Sequence, residues 1–414
     1  MTAAAERAVA STSEIRTHFP ALRRMQDGRP VAYFDGPGGT QVPQSVADAM
    51  ADYLLHHNAN SGWAYPTSEE TDEIVLAARA AMADLLGGRP DEIAFGQNMT
   101  TLTLHVSRAL GRAWAAGDEI VVTELDHHAN VDPWRHVARD RGLVVRTVAA
   151  DVRTGTLDME DLARQLGPRT RLLAIGAASN ALGTRTDVAA AARLAHAAGA
   201  LVFVDAVHYT PHVPTDVVAL DCDFLACSPY KFYGPHLGVL WGRKALLEEL
   251  DVAKLAPAPA EAPDRLETGT LSFEAMAGAT AAVDFLAGLA GEEGDRRARL
   301  AATFAALHGR GTALLRQMWD GLSAIDGVRL VGPPPDAPRT PTVSLALRGR
   351  DARDVARALA ARGIYASSGD FYASTIVAKL AAGPGGLLRA GCACYTTAEE
   401  VARFVEAVGE IARG

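Results

Sequence analysis

The sequence lacks several features that would place a protein in a broad class. No apolar stretch among its 414 residues approaches the ~20 residues that span a bilayer, and Met1–Ser13 has no apolar core of a secretory signal. No dense run of Lys and Arg occurs, and the formal net charge is −9. The four cysteines are too few for a disulfide framework. These absences predict a cytoplasmic protein that binds neither membrane nor nucleic acid.

The central part of the chain has the pattern of a parallel α/β sheet. Short apolar runs alternate with helix candidates such as Asp158–Leu166 and Asp187–Ala198, the second of which opens with an Asp cap. Strands are predicted at Ile93–Gly96, Glu119–Thr123, Val144–Val148, Arg171–Gly176, Leu201–Asp205, Asp223–Cys227 and Gly238–Trp241. A helix is predicted at Thr100–Ala113. We therefore expect a mainly parallel sheet covered by helices on both faces.

A second region follows the Pro/Ala-rich stretch Ala256–Pro263. The predicted elements are helices Glu274–Leu289, Arg296–Leu322, Asp351–Arg362 and Thr397–Ile411, and strands Thr342–Leu347, Ile364–Ser367 and Leu387–Gly391. The Pro-rich run Val328–Pro338 predicts a turn, and Ser13–Leu22 is expected to pack in this region. The length favours two unequal domains. We predict a large α/β domain over residues 30–290 and a small α+β domain of residues 1–29 and 291–414.

Two residues at predicted strand ends suggest a cofactor. Asp205 ends the run Leu201–Val204, and ligands of open α/β sheets lie at the carboxyl ends of strands. A buried carboxylate needs a partner such as a protonated pyridine nitrogen, although a helix cap or turn would also use an Asp. Lys231, flanked by Tyr230 and Phe232, follows the next strand. Such a lysine should have a lowered pKa, as Schiff-base chemistry requires, although an isolated lysine is usually a surface residue.

Two further segments could complete such a site. In Gly96–Thr101, a strand leads into a helix start whose N–H groups, with Thr hydroxyls, suit a phosphate, as Ser228 also would. An N-capping Thr looks the same in sequence. In Asp126–Asn130, an imidazole could stack on a pyridine ring. The alternatives are a polar turn or a metal-binding pair, but adjacent His residues of an extended segment face opposite ways and chelate poorly.

Two late polar residues suit the remaining contacts of an amino acid bound to such a cofactor. Asn180 follows the strand Arg171–Gly176 and could donate to the ring hydroxyl oxygen, although loop Asn residues often serve turns. Arg389 carries a guanidinium fork that suits an α-carboxylate, although most arginines lie on the surface.

The order and spacing of these residues resemble the class V aminotransferase family of fold-type I enzymes, which use pyridoxal 5′-phosphate (PLP). The chain looks most like the cysteine desulfurase and selenocysteine lyase branch. The most specific segments are Val204–His208 and Ser228–Pro235, and the resemblance extends from Phe34–Gly39 through Asn58–Asn60 to Arg389. It implies a large PLP-binding α/β domain, a smaller α+β domain and a homodimer acting on an amino acid.

The resemblance also implies a role for each residue. Lys231 would form the Schiff base, Asp205 would pair with the pyridine nitrogen, and His127 would stack on the ring. Asn180 and Arg389 would bind the substrate carboxylate, Asn180 also lying near the ring hydroxyl oxygen. Thr270 would reach the phosphate of the neighbouring subunit. The implied cofactor-binding set is Met99, Thr100, His127, Asn180, Asp205, His208, Ser228, Lys231 and Thr270. The implied substrate-binding set is Arg389, Asn180 and Tyr372, with no metal.

The sequence departs from the family pattern at three positions. The loop that carries the sulfur-accepting cysteine of desulfurases corresponds to Ser367–Ala373, and Tyr372 stands at the cysteine position. Tyr230 replaces a usual His before the lysine, and His208 replaces a usual Gln after the aspartate. The pattern therefore predicts Cα deprotonation by Lys231 and β-elimination of a thiolate, a C–S lyase reaction that needs no cysteine.

Four other interpretations stay open at the level of sequence. The same chemistry serves an aminotransferase, and a cysteine outside the loop could serve a desulfurase. A PLP-binding regulator would keep the cofactor without turnover. The fourth interpretation is an α/β protein that binds no cofactor, and its purified form would lack the yellow absorbance of a Schiff base with PLP.

Overall fold

The computed structural model describes residues 9–380, 383 and 385–414 and contains a seven-stranded sheet. The strands are β1 Ile93–Gly96, β2 Glu119–Thr123, β3 Val144–Val148, β4 Thr170–Gly176, β5 Leu201–Asp205, β6 Phe224–Cys227 and β7 Gly238–Gly242. Their spatial order is β1-β7-β6-β5-β4-β2-β3. The predicted strands are confirmed, with ends that differ by one residue at most.

The pairing of these strands confirms the mainly parallel sheet. The five adjacent strands β3, β2, β4, β5 and β6 all pair in parallel. Val204 of β5 lies opposite Leu225 of β6 and Ile175 of β4. Strand β7 runs antiparallel to both β6 and β1. The carboxyl ends of β2, β4, β5 and β6 therefore meet at one edge, where the predicted ligand-binding residues follow.

Helices cover both faces of this sheet, because its strands alternate their side chains between two apolar layers. Val202 and Val204 belong to one buried cluster and Phe203 to the other. The helices of this region are Gln44–Asp52, Pro66–Leu86, Met99–Gly111, Asp132–Arg141, Met159–Gln165, Val188–Ala197, Val217–Leu220, Lys244–Glu249 and Phe273–Gly288. The Asp cap predicted for the helix at 188–197 is confirmed, since the Asp187 carboxylate accepts the Ala190 N–H at 3.0 Å.

A second, antiparallel sheet lies in the C-terminal region. Its strands are β8 Val328–Val331, β9 Thr342–Leu347, β10 Ser367–Gly369 and β11 Leu387–Gly391, in the order β8-β9-β11-β10. The helices of this region are Arg296–Ser323, Ala352–Ala360, Ser374–Lys379 and Ala398–Arg413. Val328–Val331 had been expected in a turn, but its residues pair with β9, which shows that a Pro-rich run can begin as an edge strand.

Three short segments join the two regions. Ala32–Tyr33 pairs in parallel with Ile364–Tyr365. The predicted placement of Ser13–Leu22 is only partly right, because Phe19 packs against Phe285 and Tyr233 of the first region as well as Tyr395 of the second. The domain boundaries at 30 and 290 stay a prediction. Residues 1–8, 381–382 and 384 of the predicted small domain lie outside the described residues.

The remaining elements are short. They are helix Thr12–Thr17, the π-turn Tyr53–His57, strands Met25–Gln26, Arg29–Pro30, Ala150–Asp151 and Thr156–Leu157, and 3₁₀ turns Pro20–Arg23, Pro90–Glu92, His128–Asn130, Pro229–Lys231 and Asp264–Leu266. Among the described residues, no helix combines the length and apolarity that crossing a bilayer demands.

Candidate active site

A cavity of about 800 Å³ opens at the carboxyl edge of the large sheet. It lies between this edge and strands β10 and β11 of the second sheet, to which Ser367 and Arg389 belong. The predicted site residues that line it are Met99, Thr100, His127, Asn180, Asp205, His208, Ser228, Lys231, Tyr372 and Arg389. Thr270 does not line it. The fold therefore brings ten of the eleven predicted residues to one cavity.

The amine of Lys231 is buried at the floor of this cavity. The residue ends the 3₁₀ turn Pro229–Lys231 after β6, and it is 7% exposed. Its Nζ donates to the Pro37 carbonyl oxygen at 2.5 Å. Burial, and after it the positive charge of Arg389, lower the pKa of this amine to about 7, while the negative charge of Asp205 acts in the opposite direction. A large share of the amine is therefore neutral at neutral pH.

Two buried carboxyl groups lie beside each other at the ends of β2 and β5. Asp205 Oδ1 accepts the Val207 N–H at 2.9 Å, and burial raises the pKa of Asp205 to about 6. Asp126 accepts the Gly176 N–H at 2.8 Å and an Asn130 amide N–H at 3.0 Å. Burial and then the neighbouring charge of Asp205 raise the pKa of Asp126 to about 7. A cation in the cavity would stabilise the ionised form of Asp205.

The turn from β1 into helix Met99–Gly111 offers N–H groups to an anion. The Asn98 carboxamide caps the helix by accepting the Thr101 N–H at 2.9 Å. The first hydrogen bond of the helix runs from the Leu102 N–H to the Asn98 carbonyl, so the N–H groups of Met99 and Thr100 in the first turn have no acceptor within the helix. A Cβ at Gly238 would lie 2.5 Å from Asn98 C, so the close approach of β7 requires glycine there. The buried Ser228 hydroxyl lines the same cavity.

The two predicted histidines are held neutral by their surroundings. His127 Nδ1 accepts the Ala129 N–H at 2.9 Å, and burial, followed by the charge of Lys231, lowers the pKa of His127 to about 4. Burial also lowers the pKa of His208 well below its ordinary value. Its Nε2 lies 3.1 Å from the hydroxyls of Thr340 and Thr342, and its Nδ1 has no hydrogen-bonding partner among the described residues.

Arg389, Asn180 and Phe371 form a connected group on the opposite wall. Arg389 Nη1 donates to the Asn180 carbonyl oxygen at 2.7 Å, and the guanidinium lies 4.0 Å from the centre of the Phe371 ring. Asn180 Nδ2 donates to the Phe371 carbonyl oxygen at 2.8 Å. Arg389 Nε and Asn180 Oδ1 are buried without a partner among the described residues. A buried donor and acceptor of this kind suit a polar ligand.

The loop after β10 carries Tyr372 over the cavity in a strained conformation. Phe371 and Tyr372 have φ angles of 57° and 56°, which are costly for residues with bulky side chains. The Tyr372 carbonyl accepts the His128 N–H at 2.7 Å, and His128 Nε2 contacts the Ser374 hydroxyl at 2.9 Å. The Tyr372 ring, 73% exposed, stacks on His127 with centroids 5.4 Å apart. Hydrogen bonds between distant segments therefore fix the backbone that carries Tyr372 next to His127.

None of the four cysteines lines this cavity. Cys222, Cys227, Cys392 and Cys394 are buried free thiols. Burial raises the pKa of Cys227, Cys392 and Cys394 to about 12, and the pKa of Cys222 rises as well. Their nucleophilic thiolate forms are therefore scarce at neutral pH.

Thr270 lies in an exposed segment that a buried ion pair fixes to strand β1. Arg79 contacts Glu267 at 2.9 Å and Asp264 at 2.8 Å, and it donates to the Ile93 carbonyl. Glu267 Oε1 accepts the Phe95 N–H at 2.8 Å. The segment that carries Thr270 is thus anchored next to the turn at Asn98–Thr100.

Sequence reasoning missed several residues of the site. The Pro37 carbonyl, which accepts from Lys231, carries no side-chain signal, although it lies in the Gly-rich segment Phe34–Gly39. Phe371 lies beside Tyr372, but its contact with Arg389 joins two strands and has no local sequence pattern. Asp126 appears in the sequence analysis only as part of the segment with the histidines, and its position three residues after the end of β2 is a weaker signal than that of Asp205, the last residue of β5.

Comparisons with known proteins agree with this geometry. The sequence model of the family described as "Aminotransferase class-V" matches residues 32–404. A probable cysteine desulfurase of Pseudomonas aeruginosa is 35% identical over 403 residues, which are 94% of this chain and 95% of the relative. A probable cysteine desulfurase of Xylella fastidiosa is 32% identical over 95% of this chain and 94% of its own length.

Solved structures show the same similarity. A cysteine desulfurase of Thermococcus onnurineus superposes with a TM-score of 0.88 at 26% identity, covering 97% of this chain and 98% of that chain. A cysteine desulfurase of Escherichia coli superposes with a TM-score of 0.84 at 28% identity over the same shares of the two chains.

Proposed function

The chain belongs to the class V aminotransferase family of fold-type I PLP-dependent enzymes, and on this basis we propose that it eliminates a sulfur leaving group from the β-carbon of an amino acid. In this proposal Lys231 binds PLP covalently. The observation that carries the proposal is the buried Lys231 amine, with a pKa lowered to about 7, in the same cavity as Asp205 and Arg389.

The residues of the cavity fit PLP. The buried Asp205 carboxylate has a raised pKa, which a cationic pyridine nitrogen would reverse. The free N–H groups at the start of helix Met99–Gly111, with the hydroxyls of Thr100 and Ser228, suit the phosphate. His127 presents a neutral imidazole face, and Asn180 a buried amide oxygen without a partner. We assign these residues and His208 to cofactor binding.

When bound, PLP supplies an electron sink for the carbanion that forms at Cα. Lys231 then moves the Cα proton, for which a pKa near neutrality is favourable. Asp205 keeps the proton on the pyridine nitrogen. Arg389 binds the α-carboxylate through Nε and Nη2, because its Nη1 is already engaged by the Asn180 carbonyl. Asn180 and Tyr372 complete the substrate-binding set.

The sulfur departs directly into the cavity. The C–S bond breaks, the electron pair leaves with sulfur, and Tyr230, His208 or Tyr372 delivers the proton to the thiolate. For cysteine, one water is consumed, and the products are hydrogen sulfide, pyruvate and ammonium. The four buried cysteines, none of which lines the cavity, support a reaction without a protein persulfide.

A second candidate is sulfur transfer from cysteine, which the names of the relatives favour. This reaction would require one of the buried cysteines to reach the cavity. Aminotransfer uses the same groups of this chain and would be recognised by a pyridoxamine form after addition of an amino donor. A regulator would bind PLP and turn over no amino acid.

We further propose that the protein is a cytoplasmic homodimer in which Thr270 contacts the phosphate bound by the neighbouring subunit. Two observations support a covered face. Thr270 is exposed although its segment is anchored by Arg79, and Leu55 and Trp63 expose large apolar side chains. Cross-linking and sedimentation of the holoenzyme test the assembly.

The proposed function is tested by reduction and by product analysis. The chain has only four lysines, so borohydride reduction followed by peptide mapping should place the reduced cofactor on Lys231 alone. Replacement of Lys254, which does not line the cavity, should leave the label unchanged. The holoenzyme should release pyruvate and a thiol in equal amounts. Label on another lysine would contradict the proposal. So would formation of pyridoxamine phosphate from an amino acid without release of pyruvate.

A further inference from the structure

The cavity extends beyond the groups that bind cofactor and amino acid. Its volume of about 800 Å³ has to hold PLP as well as the amino acid, so the lining of the cavity, and not its volume, indicates which substituent fits. Besides the polar groups at the sheet edge, it is lined by Leu104 and by Ala129, Pro133 and His136. Cysteine has no side-chain atoms beyond its sulfur that would contact such a wall.

This additional wall is formed by two helices that pack on the large sheet. Leu104 lies one turn into helix Met99–Gly111, and Pro133 lies in the first turn of helix Asp132–Arg141. Arg389, which we assign to the α-carboxylate, instead comes from β11 of the second sheet. The carboxylate-binding group and the apolar wall are therefore carried by different parts of the fold that face one cavity.

The wall offers the apolar side chains of Leu104, Ala129 and Pro133, beside the imidazole of the exposed His136. Ala129 and Pro133 are buried, and Leu104 is partly buried at the cavity surface. The nearby Asp132 carboxylate is already engaged, since it contacts His128 Nδ1 at 2.9 Å and Arg135 Nη1 at 3.4 Å. An uncharged apolar group is the ligand that such surroundings favour.

Tyr372 adds an aromatic surface at the same cavity. Its ring is largely exposed and is held by the backbone contact of Tyr372 to His128. The loop carries no thiol that could accept sulfur, so the leaving group must depart with whatever substituent it bears. A substrate whose sulfur bears an apolar substituent gains contacts with this lining that cysteine cannot make, and this binding energy can be used in the transition state.

We propose that the substrates are cysteine S-conjugates, in which the sulfur carries an uncharged aliphatic or aromatic group that binds against Leu104, Pro133 and Tyr372. This inference rests on the proposed function and specifies its substrate class. The reaction converts R–S–CH₂–CH(NH₃⁺)–COO⁻ and one water to R–SH, pyruvate and NH₄⁺. The C–S bond breaks with its electron pair on sulfur, and no oxidant or reductant is needed.

Substrate comparison with a variant that fills the wall tests this proposal. The holoenzyme should turn over S-benzylcysteine with a kcat/KM about tenfold above that for cysteine. Leu104→Trp places an indole in the cavity and should lower kcat/KM for S-benzylcysteine about tenfold, with little change for S-methylcysteine. Arg108→Trp, at an exposed position of the same helix outside the cavity, is the matched control and should leave both values unchanged.

A binding measurement separates the wall from the chemistry. The compound 3-(benzylthio)propanoate lacks the amino group and cannot react. Calorimetry of the holoenzyme should give a dissociation constant that Leu104→Trp raises about tenfold and Arg108→Trp leaves unchanged.

The two proposals fail in different ways. If cysteine is preferred to S-benzylcysteine and Leu104→Trp changes neither turnover nor binding, the substrate class is wrong while elimination stands. If no amino acid yields pyruvate, the proposed function is wrong, and the substrate class that rests on it falls as well. An unchanged dissociation constant in Leu104→Trp would likewise show that the substituent does not bind against Leu104 and would contradict the substrate class.

Discussion

The guanidinium of Arg389 lies 4.0 Å from the centre of the Phe371 ring, and both groups face the cavity that Lys231 lines. The contact joins strand β11 to the loop after β10. It covers one face of the guanidinium and leaves the edge with Nε available to a ligand, because Nε has no partner among the described residues. Burial lowers the pKa of Arg389 to about 9, so this charge is costly unless an anion binds.

Arg389→Lys should therefore weaken substrate binding although it keeps the charge. A lysine cannot form the two parallel hydrogen bonds of a guanidinium fork. We expect kcat/KM for any amino-acid substrate to fall roughly 10- to 100-fold, mainly through KM, since each charge-assisted hydrogen bond contributes roughly 1.5–3 kcal/mol. Steady-state kinetics of the holoenzyme measure the effect.

The matched control is Arg185→Lys. Arg185 also lies over an aromatic ring, that of Tyr209, at 5.6 Å, but it does not line the cavity. This variant should keep KM unchanged. An equal rise of KM in both variants would indicate a general loss of structure and would contradict the assignment of Arg389.

The loading of the apo-protein with PLP should depend on pH through Lys231. The neutral amine attacks an aldehyde, and the lowered pKa of about 7 means that its fraction rises as the pH increases from about 6 to 8. The rate of appearance of the absorbance of lysine-bound PLP, measured by rapid mixing, should follow this curve. Its inflection should lie near pH 7, well below the ordinary lysine value of 10.5.

Two variants should move this inflection in opposite directions. Arg389→Gln removes a positive charge that lowers the Lys231 pKa, so the inflection should move up. Asp205→Asn removes a negative charge that raises this pKa, so the inflection should move down. An inflection above pH 9 in the unmodified protein, or a shift in the same direction in both variants, would contradict the charge arrangement.

Replacement of the four cysteines tests the absence of a sulfur relay. Single substitutions of Cys222, Cys227, Cys392 and Cys394 by Ala should preserve pyruvate release, because these thiols are buried outside the cavity. Each removes a buried group and should cost stability within the common range of about 0.5–3 kcal/mol. Activity should be compared at a temperature where urea unfolding shows every variant to be folded.

Thiol modification gives a second readout of the same prediction. A brief treatment of the folded enzyme with iodoacetamide should neither label these cysteines nor reduce turnover, because burial raises their pKa values. Loss of activity in any folded Ala variant would instead support desulfurase chemistry through that residue.

Much of the large sheet could be predicted from the sequence, because most of its strands are buried on both faces and form short apolar runs between helical segments, whereas the edge strand Val144–Val148 is only partly buried. Val144–Val148 and Leu201–Asp205 have the predicted bounds. Helices Gln44–Asp52 and Pro66–Leu86 were not predicted. For the second, Pro66 at its first position and Gly87 with a φ of 75° after its end were available signals.

The site was predictable where a residue follows a strand, and less so where two distant segments meet. Asp205 and Lys231 lie at strand ends, so the topology of the sheet brings them together. Two contacts depend on how the second sheet packs against the first. They are the packing of Phe371 on Arg389 and the hydrogen bond that Lys231 Nζ donates to the Pro37 carbonyl oxygen. No periodicity or spacing in the sequence encodes those contacts.

The buried pair of Arg79 and Glu267 links the stability of the fold to the position of Thr270. Glu267 is buried, and burial raises its pKa to about 7 with Arg79 opposing, so the pair is best tested at pH 8. Glu267→Ala removes one of the two carboxylates that contact the buried Arg79, so the free energy of unfolding should fall by at most about 3–5 kcal/mol, because Asp264 still pairs with Arg79. Urea unfolding of the apo-protein measures this change.

The same substitution should weaken PLP binding if Thr270 reaches the phosphate of the neighbouring subunit. Glu267 holds the segment before Thr270 to Phe95 of β1, and its loss frees that segment. The dissociation constant of PLP should rise in Glu267→Ala, whereas Arg348→Ala, which breaks an exposed ion pair with Asp326, should change neither stability nor affinity. If Thr270 contacts the phosphate, a more mobile segment must weaken that contact. A Glu267→Ala protein that is less stable but binds PLP with unchanged affinity would therefore show that the segment stabilises the fold and does not contribute to phosphate binding.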